Sequence, residues 1–112
     1  MSDARLPAHL EVSALIRAAE AVGGFGTVLQ KGERDTGVIL VLTLTKGRSG
    51  RLWERLPRID GRRLFSIVRE ETTESGREFA DYLARRAAQD RDAWLVELDI
   101  ADAERLIAEF GI

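Results

Sequence analysis

The sequence predicts an α+β fold in which helices pack largely on one face of a mainly antiparallel sheet of about five strands. The main observation is the run Val38–Leu42, five consecutive β-branched or leucine residues bracketed by Gly37 and by Lys46-Gly47. So short an apolar run between turn residues is typical of a strand covered on both faces. Further strand-like runs follow one another between two helical patterns, which gives the order α-β-β-β-β-α-β-α.

Composition limits the classes of protein to which this chain can belong. Its 112 residues, 45% hydrophobic and 32% charged, are typical of one globular domain spanning residues 1–112. The absence of cysteine excludes disulfides, thiolate metal sites and cysteine nucleophiles. The sequence shows neither the apolar segment of a signal peptide nor a run of about 20 apolar residues. We therefore expect a cytoplasmic protein that is not embedded in a membrane.

The first three elements are predicted from periodicity. Residues 8–22 place apolar side chains at helical spacing, and Gly23-Gly24 is expected to end this helix. Residues 25–31 are predicted to form a strand. The polar loop 32–37 is predicted to turn the chain back into the central strand, so that the two strands form a hairpin.

A second hairpin is predicted through Asp60-Gly61, a favoured two-residue turn between residues 51–58 and 62–70. Pro57 cannot donate to a ladder, which predicts an exposed edge or a bulge there. A two-residue turn sets Leu56 opposite Phe65, Trp53 opposite Val68, and Arg58 opposite Arg63. Because facing like charges are destabilising, either a bulge changes this register or the arginines lie exposed at the end of the sheet.

The C-terminal part of the chain is predicted to form a helix, a strand and a short helix. Thr73 or Ser75 is expected to cap the first of these helices. Residues 93–99 are predicted to form a strand whose Trp94 is buried under that helix. Asp99 or Asp102 is expected to cap the last helix, with Gly111 just past its end.

Several stretches resemble a known family. They are Ala21–Gly32, Gly37 with its apolar strand, Asp60-Gly61-Arg62, Asp81–Arg86 and Asp90–Asp99. Over about residues 10–110 they resemble a family of small single-domain bacterial proteins of unknown function. Arg91 stands where that family usually has a proline, and Phe65 where a tryptophan is common. The resemblance implies one compact domain and brings no activity, cofactor or site residue.

Glycine motifs and the single histidine give no catalytic prediction. Gly32-x4-Gly37 has the glycine spacing of a phosphate-binding loop but lacks the Lys-Ser/Thr pair and precedes a strand, so a hairpin turn is expected. Gly23, Gly24 and Gly26 follow a helix and do not match a dinucleotide fingerprint. His9 would have to act alone, and we expect it on the surface. The prediction is therefore no catalytic residue, no metal ligand and no cofactor.

Charge is unevenly distributed. Residues 46–63 hold seven basic and two acidic groups, whereas residues 64–112 hold six basic and twelve acidic groups. Within the acidic part, Glu97, Asp99 and Asp102 could approach each other and hold Mg²⁺ or Ca²⁺, although caps and turns explain them more simply. The candidate surface for an anionic partner comprises Lys46, Arg48, Arg51, Trp53, Arg55, Arg58, Arg62 and Arg63.

Three functions follow from these features. The leading hypothesis is a non-enzymatic protein-interaction or regulatory module that contacts a protein partner or itself. The first alternative is a small nucleic-acid-binding protein that uses the basic hairpin, because cations beside an aromatic ring suit phosphate contact and base stacking. The second alternative is a divalent-cation-dependent enzyme that uses the acidic C-terminal cluster.

Overall fold

The computed structural model describes residues 6–72, 74 and 76–110, which form three helices and a five-stranded sheet. The elements are α1 (Ala8–Ala21), β1 (Phe25–Gln30), β2 (Ile39–Thr45), β3 (Arg48–Pro57), β4 (Arg63–Glu70), α2 (Gly76–Gln89), β5 (Trp94–Asp99) and α3 (Ala103–Glu109). The predicted element order and α+β class are confirmed. The longest of these helices has 14 residues, and none that the structure describes has the length and apolar character needed to cross a bilayer.

The predicted β1–β2 hairpin is wrong. The strand order is β1-β5-β2-β3-β4, with β5 antiparallel to β1 and parallel to β2. The connecting loop wraps around the start of β5, where Glu33 N donates to Asp92 O at 2.8 Å and Trp94 N donates to Val38 O at 2.8 Å. These bonds hold β1 and β2 one strand apart, and the apolar β5 fills the space between them.

The prediction that the apolar run lies in the middle of the sheet is confirmed. In β2, every residue from Ile39 to Thr43 is buried, and Val41 lies between Trp53 of β3 and Val96 of β5. Val38 is the exception, because it precedes the strand and is 48% exposed. Side chains alternate across a strand, so a strand buried along both faces needs a core on each side.

The helices supply those two cores. α1 and α3 contribute Val12, Leu15 and Leu106 to one cluster, whereas α2 contributes Phe79 to a cluster on the opposite face. The expectation of helices largely on one face therefore holds for α1 and α3, and α2 covers the other face. Trp94 is buried, as predicted, at 5% exposure. It packs in the α1–α3 cluster and not under α2, because the alternation assigns its neighbour Leu95 to the α2 side.

The β3–β4 hairpin has a different register from the predicted one. The turn is a three-residue loop, Ile59–Gly61, in which Gly61 has φ +85° and donates its N–H to Arg58 O at 2.9 Å. Leu56 consequently faces Leu64, and Trp53 faces Ile67. Arg58 N donates to Arg62 O, so Arg58 faces Arg62 and not Arg63. A bulge between Leu52 and Trp53 shifts the register farther along the ribbon.

Helix ends agree with the sequence where the structure describes them. Gly24 N donates to Ala19 O at 2.9 Å, and Gly23 has φ +86°, which confirms the glycine end of α1. Asp102 Oδ1 accepts from Arg105 N at 3.2 Å and caps α3. The capping predictions for Thr73 and Ser75, and the position of Gly111, lie outside the described residues.

A pair of strand leucines tests the placement of the core. Leu98 of β5 is 0% exposed, whereas Leu29 of β1 is 49% exposed. Replacing Leu98 with Ala should lower the free energy of unfolding by about 2–5 kcal/mol, because it removes buried methyl groups and leaves a cavity. The matched Leu29→Ala change should cost about 1 kcal/mol or less, since half of that side chain already contacts water. Urea unfolding of both variants gives the comparison, and equal losses would contradict the proposed position of β5.

Candidate interaction surfaces

The predicted basic surface divides into three parts along β3. Lys46 and Arg48 lie at the β2–β3 turn, whereas Arg58, Arg62 and Arg63 lie at the opposite end of the strand. The ten residues of β3, at about 3.3 Å per residue, separate these ends by about 30 Å. Arg51, Trp53 and Arg55 lie between the two ends. The structure therefore does not bring all eight residues together in one site.

The middle part of this surface packs against the helices. Trp53 is 6% exposed, and its indole Nε1 donates to Thr43 Oγ1 at 2.9 Å, so its ring is part of the core. The Arg51 guanidinium lies 5.5 Å from the Trp53 ring centre and 4.0 Å from Glu104 Oε1 of α3. Arg51 and Trp53 thus connect the sheet to α3.

Two adjacent residues of β3 attach helices to opposite faces of the sheet. Arg55 lies over the Phe65 ring at 4.5 Å and donates from Nη1 to Glu11 Oε1 of α1 at 3.2 Å. On the other face, Glu54 accepts both Nε and Nη2 of Arg86 in α2, at 3.1 and 3.2 Å. The hydrogen bonds to Glu54 raise the pKa of Arg86. Part of the charge of the basic segment is therefore used in arginine–carboxylate contacts within the fold.

The acidic C-terminal cluster is separated into turns and caps. Asp99 Oδ1 accepts from Lys46 N at 2.8 Å and its Oδ2 from Gly47 N at 2.9 Å, so this carboxylate holds the β2–β3 turn. Asp90 Oδ1 accepts from Asp92 N at 3.0 Å in the turn before β5. In the part of the chain that the structure describes, no three histidine or acidic side chains are placed to hold a metal ion.

The loop between β1 and β2 explains why residues 32 and 37 are both glycine. It is not the hairpin turn that the sequence predicted. A Cβ atom at Gly32 or Gly37 would lie 2.3 or 2.2 Å from Asp92 O, so only glycine allows the loop to close around that carbonyl. The Glu33 carboxylate accepts from Asp35 N and Thr36 N at 2.8 and 2.6 Å. These hydrogen bonds, first of all the one from the Thr36 backbone, lower the pKa of Glu33.

His9 joins this loop to α1. Its ring Nδ1 lies 3.1 Å from Arg34 O, and its backbone N donates to the same oxygen at 2.9 Å. The side chain is 26% exposed, so it is less solvated than the sequence suggested. The contact to a main-chain carbonyl gives this histidine a positional role at the start of α1.

An exposed apolar surface lies along the outer edge of β1, and sequence reasoning missed it. β1 pairs with β5 on one side, and no other described strand pairs with its second edge. Phe25, Val28 and Leu29 are 74%, 39% and 49% exposed. No charged residue occurs from residue 21 to residue 30. The uncharged run is visible in the sequence, but only the strand order places it at the edge of the sheet.

The opposite edge of the sheet differs in charge. β4 carries Arg63, Arg69 and Glu70 along its length. Charged side chains on an edge strand disfavour pairing with another chain, because pairing would desolvate them. β4 is therefore protected by charge, whereas β1 has no charged side chain and carries a bulge between Val28 and Gln30.

The lowered pKa of Glu33 predicts a pH-dependent contribution to stability. A carboxylate whose folded-state pKa is depressed stabilises the fold above its ordinary value of 4.5 and loses this effect as pH falls through the folded pKa. Wild type should therefore be more stable than Glu33→Gln at pH 7, and the difference should shrink progressively below pH 4.5. Urea midpoints of both proteins at pH 7, 4.5 and 3 measure this. A difference that stays constant across the series would contradict the role given to Glu33.

Because the Arg55–Glu11 pair is largely buried, removing one of its charges should lower the free energy of unfolding. Both side chains are only 13% exposed, so Glu11→Gln leaves a guanidinium in a poorly hydrated position, at a cost of about 2–3 kcal/mol of unfolding free energy. The double change Glu11→Leu with Arg55→Met removes both charges and should cost less than the single change. Glu20→Gln, at an exposed position of the same helix, serves as the control and should change stability by about 0.5 kcal/mol or less. If Glu11→Gln is as mild as this control, the pair does not anchor α1.

Comparisons with known proteins agree with the fold and with the resemblance noted in the sequence. Residues 6–108 match the model of a family described as a protein of unknown function, DUF1491. The crystal structure of a DUF1491 family protein from Caulobacter crescentus CB15 is 33% identical, with a TM-score of 0.77 over 91% of this chain and 94% of that one. The solution structure of protein Atu0922 from A. tumefaciens is 30% identical, with a TM-score of 0.73 over 92% of each chain. No curated protein matches the chain. The resemblance to a bacterial family of unknown function is thereby confirmed, and the chain belongs to the DUF1491 family.

Proposed function

We propose that the chain is a non-enzymatic interaction module of the cytoplasm that associates through the outer edge of β1. The observation that carries the proposal is the exposed, uncharged edge formed by residues 25–30. The free N–H and C=O groups of an edge strand are the partners that another extended strand needs. The chemistry of this surface therefore favours a β-strand as its occupant.

A second copy of the same chain is the occupant that suits this edge best. A two-fold axis perpendicular to the sheet pairs each strand with itself in antiparallel orientation and keeps each face on its own side. With Thr27 opposite Thr27, Gly26 lies opposite Val28 of the second copy, and Phe25 lies opposite the bulge that β1 forms between Val28 and Gln30. The register thus faces no like charges across the ladder.

The size of the edge sets the expected affinity. β1 has six residues, and an interface of one strand from each copy falls short of the about 1,200 Å² of total buried surface found in stable complexes. We therefore expect a reversible dimer with a dissociation constant of about 10 μM, because small interfaces repay little of the entropy lost on association. Such a dimer exchanges readily with other edge-binding segments, which suits a regulatory module.

Substitution of the central residue tests the proposal. Thr27 is exposed, and Thr27→Lys places two ammonium groups face to face across the axis, which should convert the dimer into a monomer. Sedimentation equilibrium at about 100 μM, well above the expected dissociation constant, should give wild type a mass approaching twice the 12.5 kDa of the chain. Thr27→Val keeps the edge uncharged and should retain the dimer.

The opposite edge supplies the control for charge. Glu70→Gln raises the net charge by one unit, as Thr27→Lys does, but at β4. This variant should dimerise like wild type. A wild-type mass of 12.5 kDa at the highest concentration would overturn the proposed self-association. Equal weakening by Glu70→Gln and Thr27→Lys would show that net charge, and not the edge of β1, controls the dimer.

A further inference from the structure

The end of the β3–β4 hairpin stands apart from the rest of the sheet. β2 pairs with β3 no farther than Trp53, so the hairpin continues beyond this residue as a two-stranded ribbon. Residues 56–63, which we name the ribbon tip, are all exposed. This tip lies at the end of the molecule farthest along β3 from the β2–β3 turn and is independent of the β1 edge.

The ribbon tip combines positive charge with one fully exposed apolar side chain. Arg58 and Arg63 form no ion pair with any residue that the structure describes. Arg62 lies 3.8 Å from Asp60 Oδ2, but these two side chains are 57% and 59% exposed, so water screens the pair. Ile59, at the apex of the loop, is 107% exposed and contributes nothing to the core. Arg58, Ile59 and Arg63 thus extend away from the core, whereas Arg62 borders a cavity that Trp53 and Ile107 also line.

We propose that the ribbon tip binds a nucleic acid duplex, with its three arginines on the phosphate backbone and Ile59 inserted in a groove. A two-stranded β-ribbon is narrow enough to enter a groove of B-form DNA. Arginine offers a planar fork that donates two hydrogen bonds to one phosphate. Proteins that insert apolar side chains between base steps place cations beside them in the same way.

The distribution of charge limits how much of the protein surface can contact the duplex. The net charge of the chain is −2, whereas the ribbon tip holds three arginines and one aspartate, so the remainder of the surface is acidic. That remainder repels phosphate, and contact is confined to the tip. Three neutralised phosphates predict a slope of about −2.7 in a plot of log affinity against log salt.

A lipid surface is the other polyanion to which such a tip could bind. One myristoyl chain of fourteen carbons gives only marginal, reversible attachment to a bilayer. A single isoleucine buries far less apolar surface than that chain, and the tip carries fewer cations than the clusters of 4–8 basic residues typical of anionic-lipid binding. The observations therefore favour nucleic acid over a membrane.

Fluorescence anisotropy of a labelled 20-base-pair DNA duplex, at salt concentrations from about 30 to 200 mM, tests the proposal. Arg58→Gln with Arg63→Gln should weaken binding at least tenfold and reduce the salt slope by about 2. Ile59→Ser should weaken binding severalfold and leave the slope unchanged, because it removes no charge. All three positions are exposed, and circular dichroism checks that each variant keeps its fold.

The two ends of β3 provide the matched control. Lys46→Asn with Arg48→Gln also removes two positive charges, but at the distant end of the strand. It should change the affinity for the duplex less than twofold. Equal weakening by both double variants would overturn the proposal, because only net charge would then matter. So would the absence of duplex binding at about 30 mM salt, where phosphate contacts are strongest. Attachment to phosphatidylserine vesicles that is lost in the Ile59→Ser variant, without any duplex signal, would likewise replace nucleic acid with a membrane as the partner.

Discussion

The burial of β2 on both faces is the constraint on which the other parts of this structure depend. A strand whose neighbouring side chains point in opposite directions, with Ile39–Thr43 all excluded from water, cannot be covered from one side. It needs the α1–α3 layer above and α2 below. β5 must also lie on one flank and β3 on the other, because an unpaired polar backbone in that position would be costly.

Charged pairs position the helices that the apolar core attracts. Hydrophobic contact has no direction, so by itself it leaves the angle and register of a helix loosely defined. Glu54 and Arg55, adjacent in β3, point to opposite faces and meet Arg86 of α2 and Glu11 of α1. One dipeptide therefore orients both layers relative to the same strand. The basic segment that drew attention in the sequence is used partly for this purpose, and only its exposed end remains available for a partner.

Local patterns in the sequence predicted local structure well. The glycine end of α1, the Asp102 cap and the buried run of β2 each depend on residues within one or two turns of chain. The errors arose where distant residues decide the outcome. The pairing of β1 with β5 joins residues about 70 positions apart, such as Phe25 with Asp99, and no neighbouring residue signals it. The one-residue error at Asp60-Gly61 has another cause, because the predicted turn contained only these two residues, whereas the observed loop also includes Ile59.

The candidate surfaces show the same contrast between features that neighbouring residues determine and features that distant residues determine. The run of arginines was visible in the sequence, but its separation into a packed middle and an exposed tip depends on where β2 stops pairing. The open edge of β1 could not be recognised without knowing the strand order. Trp94 was expected in the core, yet the side of the sheet that it faces depends on the register of β5 against β2.

The position of β5 between β1 and β2 has a consequence for synthesis of the chain on the ribosome. Although β5 lies second in the sheet, it is the last of the five described strands along the chain, and β1 has no strand partner until residues 94–99 have emerged. Contacts of such high sequence separation form slowly, because a long loop must close before they can stabilise anything. The nascent chain therefore holds β1 without its strand partner until residues 94–99 have emerged, and the five-stranded sheet closes only then.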